Sequence, residues 1–119
     1  MNHNQISDKG AREIGMNLVG SNLITLHMYD NQIGDAGACE IAKNMVGSKL
    51  RSLKLSGNQI GDTGACEITR NLKGSNLTDL NLFENKNIHQ EVKQQVIDEW
   101  DKVGNNPEKL QICDILQNQ

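Results

Sequence analysis

Apolar residues recur along the chain in the order Leu-x-x-Leu-x-Leu, and the last two apolar positions are two residues apart. The order returns every 27 residues, and its three positions hold Leu23, Leu50 and Leu77, then Leu26, Leu53 and Leu80, then Met28, Leu55 and Leu82. Residues two apart lie on the same face of a β-strand. Each copy therefore predicts a short strand with one buried face.

The second half of each copy predicts a helix. Ala38, Ile41, Ala42 and Met45 follow the spacing that places side chains on one helix face. Predicted caps are aspartates at the helix starts and left-handed glycines just past the helix ends, namely Asp8, Asp35 and Asp62, and Gly20, Gly47, Gly74 and Gly104. Strand and helix thus alternate along the chain.

The loop between strand and helix repeats as well. The tripeptide Asn-Gln-Ile occupies residues 4–6, 31–33 and 58–60, a step of 27 residues. A period of this size indicates one supersecondary unit stacked several times. The column of Asn31, Asn58 and Asn85 is expected to hydrogen-bond backbone groups of its own and adjacent coils.

These columns resemble the leucine-rich repeat consensus Leu-x-x-Leu-x-Leu-x-x-Asn-x-Ile. The helical half, with Gly-Ala-x-x-Ile-Ala, is similar to the ribonuclease-inhibitor type of that family, and the resemblance covers nearly the whole chain. It implies a short right-handed α/β solenoid. About four parallel strands would form the concave side and about four helices the convex side.

One domain is predicted for residues 1–119. Its parts are a partial N-terminal repeat 1–22, repeats 23–49 and 50–76, a repeat 77–109 with a longer capping helix, and a terminal strand 110–119. The last boundary rests on aligning Leu110-x-x-Cys113-x-Ile115 with the repeated motif, which places Ile112 outward and Cys113 in the core. Trp100 falls in a core column of the last helix, so it is interpreted as an end cap, with a binding hot spot as the alternative.

Composition excludes several classes of function. The formal charge is −3, and Lys and Arg do not cluster, so no nucleic-acid partner is expected. No apolar run approaches the ~20 residues of a membrane span, and the first residues lack the basic and apolar regions of a secretory signal. Three cysteines without a Cys-x-x-Cys pair favour a reducing compartment, the cytoplasm or a host cytosol.

The pattern does not favour catalysis. No nucleophile, base and orienting group stand at a known spacing, no phosphate loop follows a strand, and the histidines fall in unrelated columns. The prediction is a non-enzyme without cofactor or metal. Cys39 and Cys66 occupy equivalent, partly exposed positions on adjacent helices, too far apart for a disulfide, and their role is packing or, as the alternative, reactivity.

The resemblance assigns the outward strand and loop positions to a protein-binding concave face. These are Thr25, His27, Tyr29, Asp30, Ser52, Lys54, Ser56, Asp79, Asn81, Phe83 and Glu84. Tyr29 and Phe83 share one column, with carboxylates nearby, and would form aromatic anchors inside an acidic rim. The alternative is that both rings lie on the loop and cover apolar side chains.

The expected function is a non-catalytic module that binds another protein across the concave sheet. The resemblance implies two settings, a bacterial effector acting in a host cell or an immune-receptor sensor region. The alternative is a structural or regulatory fragment of a larger repeat protein, whose ends mediate stacking or self-association.

Overall fold

The computed structural model describes residues 5–113 as alternating helices and short parallel strands. In chain order these are α1 (Asp8–Met16), β1 (Thr25–His27), α2 (Asp35–Met45), β2 (Ser52–Lys54), α3 (Asp62–Arg70), β3 (Asp79–Asn81), α4 (Gln90–Lys102), a 3-10 turn (Pro107–Lys109) and β4 (Leu110–Gln111). The sheet order is β1-β2-β3-β4. A helix layer on one side of a parallel sheet confirms the predicted solenoid.

The core lies between the sheet and the helices and is built from the repeated columns. Each strand contributes one inward residue and the position just past the strand a second, and all of them are at most 2% exposed: Leu26, Leu53, Leu80 and Leu110, then Met28, Leu55, Leu82 and Ile112. The helices contribute Ile41, Ile68 and Val96, each fully buried. Burial of apolar area in this layer is the main stabilising contribution.

The register of the last strand differs from the one predicted. Leu80 pairs with Leu110 and Asn81 with Gln111, so Leu110 belongs to the second leucine column rather than the first. Ile112, which was expected to point outward, is therefore a core residue, 2% exposed. Cys113 packs against the core as a partly buried side chain. The remainder of the predicted terminal strand, residues 114–119, lies outside the described residues.

The asparagine column joins adjacent coils, as predicted. Asn58 accepts a hydrogen bond from the Ile33 N–H (3.1 Å) and donates to the Met28 carbonyl (2.8 Å), both in the preceding coil. It also donates to a carbonyl of its own coil. Asn31 and Asn85 repeat the link to the preceding coil. A buried amide in each repeat thus satisfies backbone groups that the turn leaves unpaired.

The aspartates cap helices, but not their own. Each is the first residue of its helix, and the Oδ1 atom of Asp8 accepts from the N–H groups of Gly34 (2.7 Å) and Gly37 (2.9 Å) at the start of α2. Asp35 makes the same two bonds to α3. The prediction of self-capping was wrong because a side chain at the first helical position reaches the neighbouring helix start more easily than its own.

The series of aspartates ends differently at α4. The Oδ1 atom of Asp62 accepts from the His89 N–H (2.7 Å), and its Oδ2 atom lies 2.7 Å from the Nδ1 atom of the His89 ring. The backbone hydrogen bond from His89 lowers the pKa of Asp62, and the ring adds to this effect against an opposing contribution from burial.

Two of the four predicted helix-end glycines are left-handed. Gly47 and Gly104 have φ of 90° and 84°. Gly20 and Gly74 do not have positive φ, because α1 and α3 end earlier, at Met16 and Arg70, and each leads into a tight turn.

Trp100 closes the C-terminal end of the core. Its side chain is 1% exposed, and its Nε1–H donates to the Asn106 carbonyl at 2.8 Å. An indole that is buried and hydrogen-bonded inside the chain offers little surface to a partner. This environment favours the cap interpretation over the hot-spot alternative.

Candidate protein-binding face

The concave face consists of the outward residues of β1, β2 and β3 and of the loop positions that follow them. Within the strands these residues alternate with buried leucines, and none of the predicted site residues is buried. The register sets them in rows across the strands: Thr25, Ser52 and Asp79; His27, Lys54 and Asn81; Tyr29, Ser56 and Phe83; Asp30, Gly57 and Glu84. All predicted site residues therefore lie on one surface.

Backbone hydrogen bonds extend this order past the strand ends. The Asp30 N–H donates to the Ser56 carbonyl at 3.0 Å, and the Gly57 N–H donates to the Phe83 carbonyl at 2.9 Å. Strand spacing of about 4.8 Å then separates Tyr29 from Phe83 by roughly 10 Å. The two aromatic residues flank Ser56 at a distance set by backbone geometry.

The strand part of the face carries a small polar cluster. The Lys54 ammonium lies 3.8 Å from the Asp79 carboxylate, and the Ser52 hydroxyl donates to the same oxygen at 3.2 Å. The two charged side chains are 28% and 32% exposed. An ion pair this accessible adds little stability, so its relevance is to the charge that the face presents to a partner.

His27 lies at the edge of this cluster. Its ring is centred 5.6 Å from that of Tyr29 at an interplanar angle of 34°. Burial, followed by the Lys54 charge, lowers the pKa of His27 below 6.5, and Asp79 acts in the opposite direction. The Nε2 atom of the ring is covered without a hydrogen-bond partner among the described residues.

The loop part of the face contains backbone strain. Asp30 and Glu84 adopt φ of 54° and 60°, in the left-handed region, and the same column in the middle repeat holds Gly57 with φ of 70°. A residue with a Cβ atom costs about 1–2 kcal/mol there relative to the right-handed region. A Cβ atom on Gly57 would also run into the Asp30 carboxylate. Both strained positions nevertheless carry carboxylates beside aromatic residues.

A shallow polar depression adjoins this row on the loop side. It measures about 510 Å³ and is lined by Asn31, Gly57, Asn58, Gln59, Glu84, Lys86 and Asn87. Gln59, Lys86 and Asn87 were not predicted as site residues. Gln59 belongs to the repeated Asn-Gln-Ile tripeptide, whereas Lys86 and Asn87 depart from it, and this departure was the only signal in the sequence.

Gln111 is a further residue of the face that sequence reasoning missed. Because Asn81 pairs with Gln111, this exposed side chain continues the row of His27, Lys54 and Asn81. The sequence alignment of Cys113 and Ile115 with the last two apolar positions of the motif implied that Asp114, between them, would take this place, and Asp114 lies outside the described residues. The apolar, polar, apolar order of Leu110, Gln111 and Ile112 was the sequence signal that could have revealed it.

The environment of the cysteines gives little support for a reactive thiol. Cys39 and Cys66 are half-buried, as expected, and are free thiols. Burial raises the pKa of Cys39, and the charges of Glu67 and Asp35 raise it further. A thiol held in its protonated form is a poor nucleophile. Within residues 5–113, no three His, Cys, Asp or Glu side chains are grouped to hold a metal ion.

Within the described part of the chain, no helix combines the length and the apolar character required to cross a membrane.

Comparisons with known proteins agree with this architecture. A family model described as "Leucine Rich repeat" matches residues 1–15, 21–42 and 48–68. A solved structure of "Leiomodin-1 Actin-Binding Site 2 (ABS2)" is similar with a TM-score of 0.77 and 19% sequence identity, over 95% of this chain and 67% of that chain. At this identity the likeness shows a shared fold. No curated protein sequence matches significantly.

The chain belongs to the leucine-rich repeat proteins, as its repeated columns, its fold and the matched family model together show. Fold and family support a protein-interaction module.

Proposed function

We propose that the chain is a non-catalytic binding module whose partner protein docks across the concave face. The observation that carries this proposal is the strained backbone at Asp30 and Glu84. Glycine occupies the same column at Gly57, so the repeat tolerates a residue without this cost. Strain retained beside candidate anchor residues is a mark of functional constraint.

The arrangement of side chains indicates the chemistry of the partner. Tyr29 with Asp30 and Phe83 with Glu84 form two pairs of ring and carboxylate, about 10 Å apart, and only Ser56 and Gly57 stand between them. A long basic side chain fits such a gap, because its stem can lie against a ring while its charge approaches the carboxylates. The proposed partner therefore presents an exposed Lys or Arg.

The biological setting is proposed more broadly. A reducing compartment, either the cytoplasm or a host cytosol entered by an effector, is supported by the free thiols of Cys39 and Cys66. The single helix in each repeat supports the ribonuclease-inhibitor type. Actin is one candidate partner, because the similar leiomodin-1 structure is that of an actin-binding site, and cosedimentation with filaments would test it.

The direct test is the double variant Tyr29→Ala/Phe83→Ala. Affinity capture with the wild-type chain would identify a partner, and titration with that purified partner would measure Kd. Loss of aromatic anchors is expected to weaken binding by at least about 30-fold, as for hot-spot residues that contribute about 2 kcal/mol or more. Unchanged affinity in a folded double variant would disprove the aromatic-anchor proposal.

A matched control is available on the convex side. Arg12→Ala/Lys43→Ala removes two exposed helix side chains and should leave Kd unchanged. A second arm uses Glu84→Gly, which relieves left-handed strain of about 1 kcal/mol. That variant should melt at a higher temperature yet bind more weakly. If it bound as well as wild type, Glu84 would have no role in recognition.

A further inference from the structure

The N-terminal end of the stack leaves core columns exposed. Leu23 is 39% exposed, whereas the residues in its column in the next two repeats, Leu50 and Leu77, are 0% and 2% exposed. Ile6 and Ile14 are likewise only partly buried, although all later members of their two columns are buried. These side chains are of the core type, and the later copies show that a preceding repeat buries them.

The side of α1 that faces away from α2 has the same composition as the side of α2 that packs on α1. It carries Gly10, Glu13 and Asn17, and α2 carries Gly, Glu and Asn at the equivalent positions, 27 residues later. The Asn17 amide donates to the Glu13 carbonyl at 2.8 Å, and the α2 and α3 copies make the same bond. The outer face of α1 is thus built like an inter-repeat face.

The glycine at position 10 is specific evidence that the outer face of α1 is built to contact another repeat. A Cβ atom added to Gly37 would lie 2.8 Å from the Ala11 Cβ atom and 2.9 Å from the Asp8 Oδ1 atom, so glycine is required where α2 meets α1. A Cβ atom on Gly10 would meet only the Ile6 Cγ2 methyl group, at 3.2 Å. Packing among the described residues does not require Gly10, but a preceding helix with Asp and Ala would.

Backbone N–H groups at the start of α1 are also placed to bind an aspartate of a preceding helix. Asp8 accepts from the N–H groups of Gly34 and Gly37 in α2, and the equivalent donors in α1 are the N–H groups of Ser7 and Gly10. An aspartate at the first position of a preceding helix would accept from both.

The C-terminal end of the same chain cannot supply this helix. Because Asp62 caps His89 as Asp35 caps Gly61, Gln90 stands in the aspartate column of α4 and Lys93 in the alanine column. Gln90 has no carboxylate to accept the two backbone hydrogen bonds, and Lys93 is larger than the alanine that packs against the glycine. Head-to-tail stacking of copies is therefore disfavoured, and the two ends of the molecule differ in kind.

We infer that the N-terminal edge, formed by Ile6, Gly10, Glu13, Asn17 and Leu23, is a docking surface for one leucine-rich repeat of this chain's own consensus. Its occupant has Asp at the first and Ala at the fourth position of its helix, and it adds a strand beside β1. This inference does not depend on the concave face, so the two proposals succeed or fail separately.

The test supplies the occupant covalently. A copy of residues 31–57 placed directly before residue 4 continues the repeat in phase, because its final Gly57 is then followed by Asn4. The extended chain should unfold at a higher temperature and with a larger denaturant m-value. The amides of Ser7 and Gly10 should exchange hydrogen more slowly. Unchanged exchange at these amides would overturn the inference even if the added repeat failed to fold.

Gly10→Ala provides the matched control. In the original chain it should leave the melting temperature unchanged or raise it slightly, because alanine favours the helix. In the extended chain it should lower the melting temperature, since the Cβ atom meets the new alanine. The same sign in both chains would contradict the inference. So would a stable dimer of the original chain, by sedimentation, that Leu23→Lys dissociates, because a second copy would then be the occupant.

Discussion

The two ends of this solenoid expose their core-type side chains to different extents. At the N-terminal edge Leu23 is 39% exposed, whereas at the C-terminal end Trp100 and Ile112 are 1% and 2% exposed. The last repeat differs from the consensus, with bulkier helix residues and a 3-10 turn, while the first helix keeps the repeated residues Asp8, Gly10, Ala11, Glu13 and Ile14. A repeat buries its core only when something covers both sides, so an end must either be altered into a cap or be covered by a neighbour.

The largest predicted effect comes from removing the cap. Trp100→Ala should lower the free energy of unfolding by about 3–5 kcal/mol, because it empties a large buried site and leaves the Asn106 carbonyl without its donor. Leu23→Ala at the other end should cost only about 1 kcal/mol, since the side chain is already partly exposed. Urea denaturation of both variants checks this order, and equal losses would mean that the ends do not differ.

The register of β4 predicts the next largest effect. Ile112→Ala should lower the free energy of unfolding by about 2 kcal/mol or more, because the side chain is buried. Gln111→Ala, one residue earlier and exposed, should change it by less than about 0.5 kcal/mol. The opposite order in the same denaturation experiment would restore the register in which Ile112 points outward, and the C-terminal end would then be less closed than the comparison of the two ends requires.

The smallest predicted effect concerns the stability of the protein at acidic pH. The pKa of Asp62 is lowered by its hydrogen bonds to His89, so its stabilising contribution is present above its unfolded pKa and is lost as pH falls through the lowered folded value. Wild type and Asp62→Asn should therefore differ in melting temperature at neutral pH and converge below pH 3.8. A difference that stayed constant down to the lowest pH would show that the ionised carboxylate does not hold the start of α4.

The columns of the fold and most of the candidate face were predictable from residue types. Leucine spacing identified the buried positions of the first three strands, and strand alternation then identified the outward residues such as Lys54 and Phe83. The last strand was misaligned because Leu110, Cys113 and Ile115 imitate the repeated motif. The chain instead enters the sheet after the Trp100–Asn106 hydrogen bond and the 3-10 turn, and so Leu110 takes the second column.

Strain on the face could not be predicted in the same way. Neither Asp30 nor Glu84 requires positive φ, although Asp adopts it more often than Glu does. The ladder to Ser56 and the alignment with Gly57 reveal the left-handed turn they share. Gln111 was missed as a residue of the face because the sequence alignment placed β4 in the wrong register. Each of these features depends on which backbone groups meet across repeats.

Residue types at a constant 27-residue step were sufficient to assign a stacked α/β solenoid, its buried columns and its linking asparagines, because those positions meet the same environment in every copy. The helix that each aspartate caps, the column that Leu110 enters and the exposure of Leu23 required the three-dimensional structure. These properties arise from contacts between one repeat and the next, and at the ends of the stack the neighbouring environment is no longer the same.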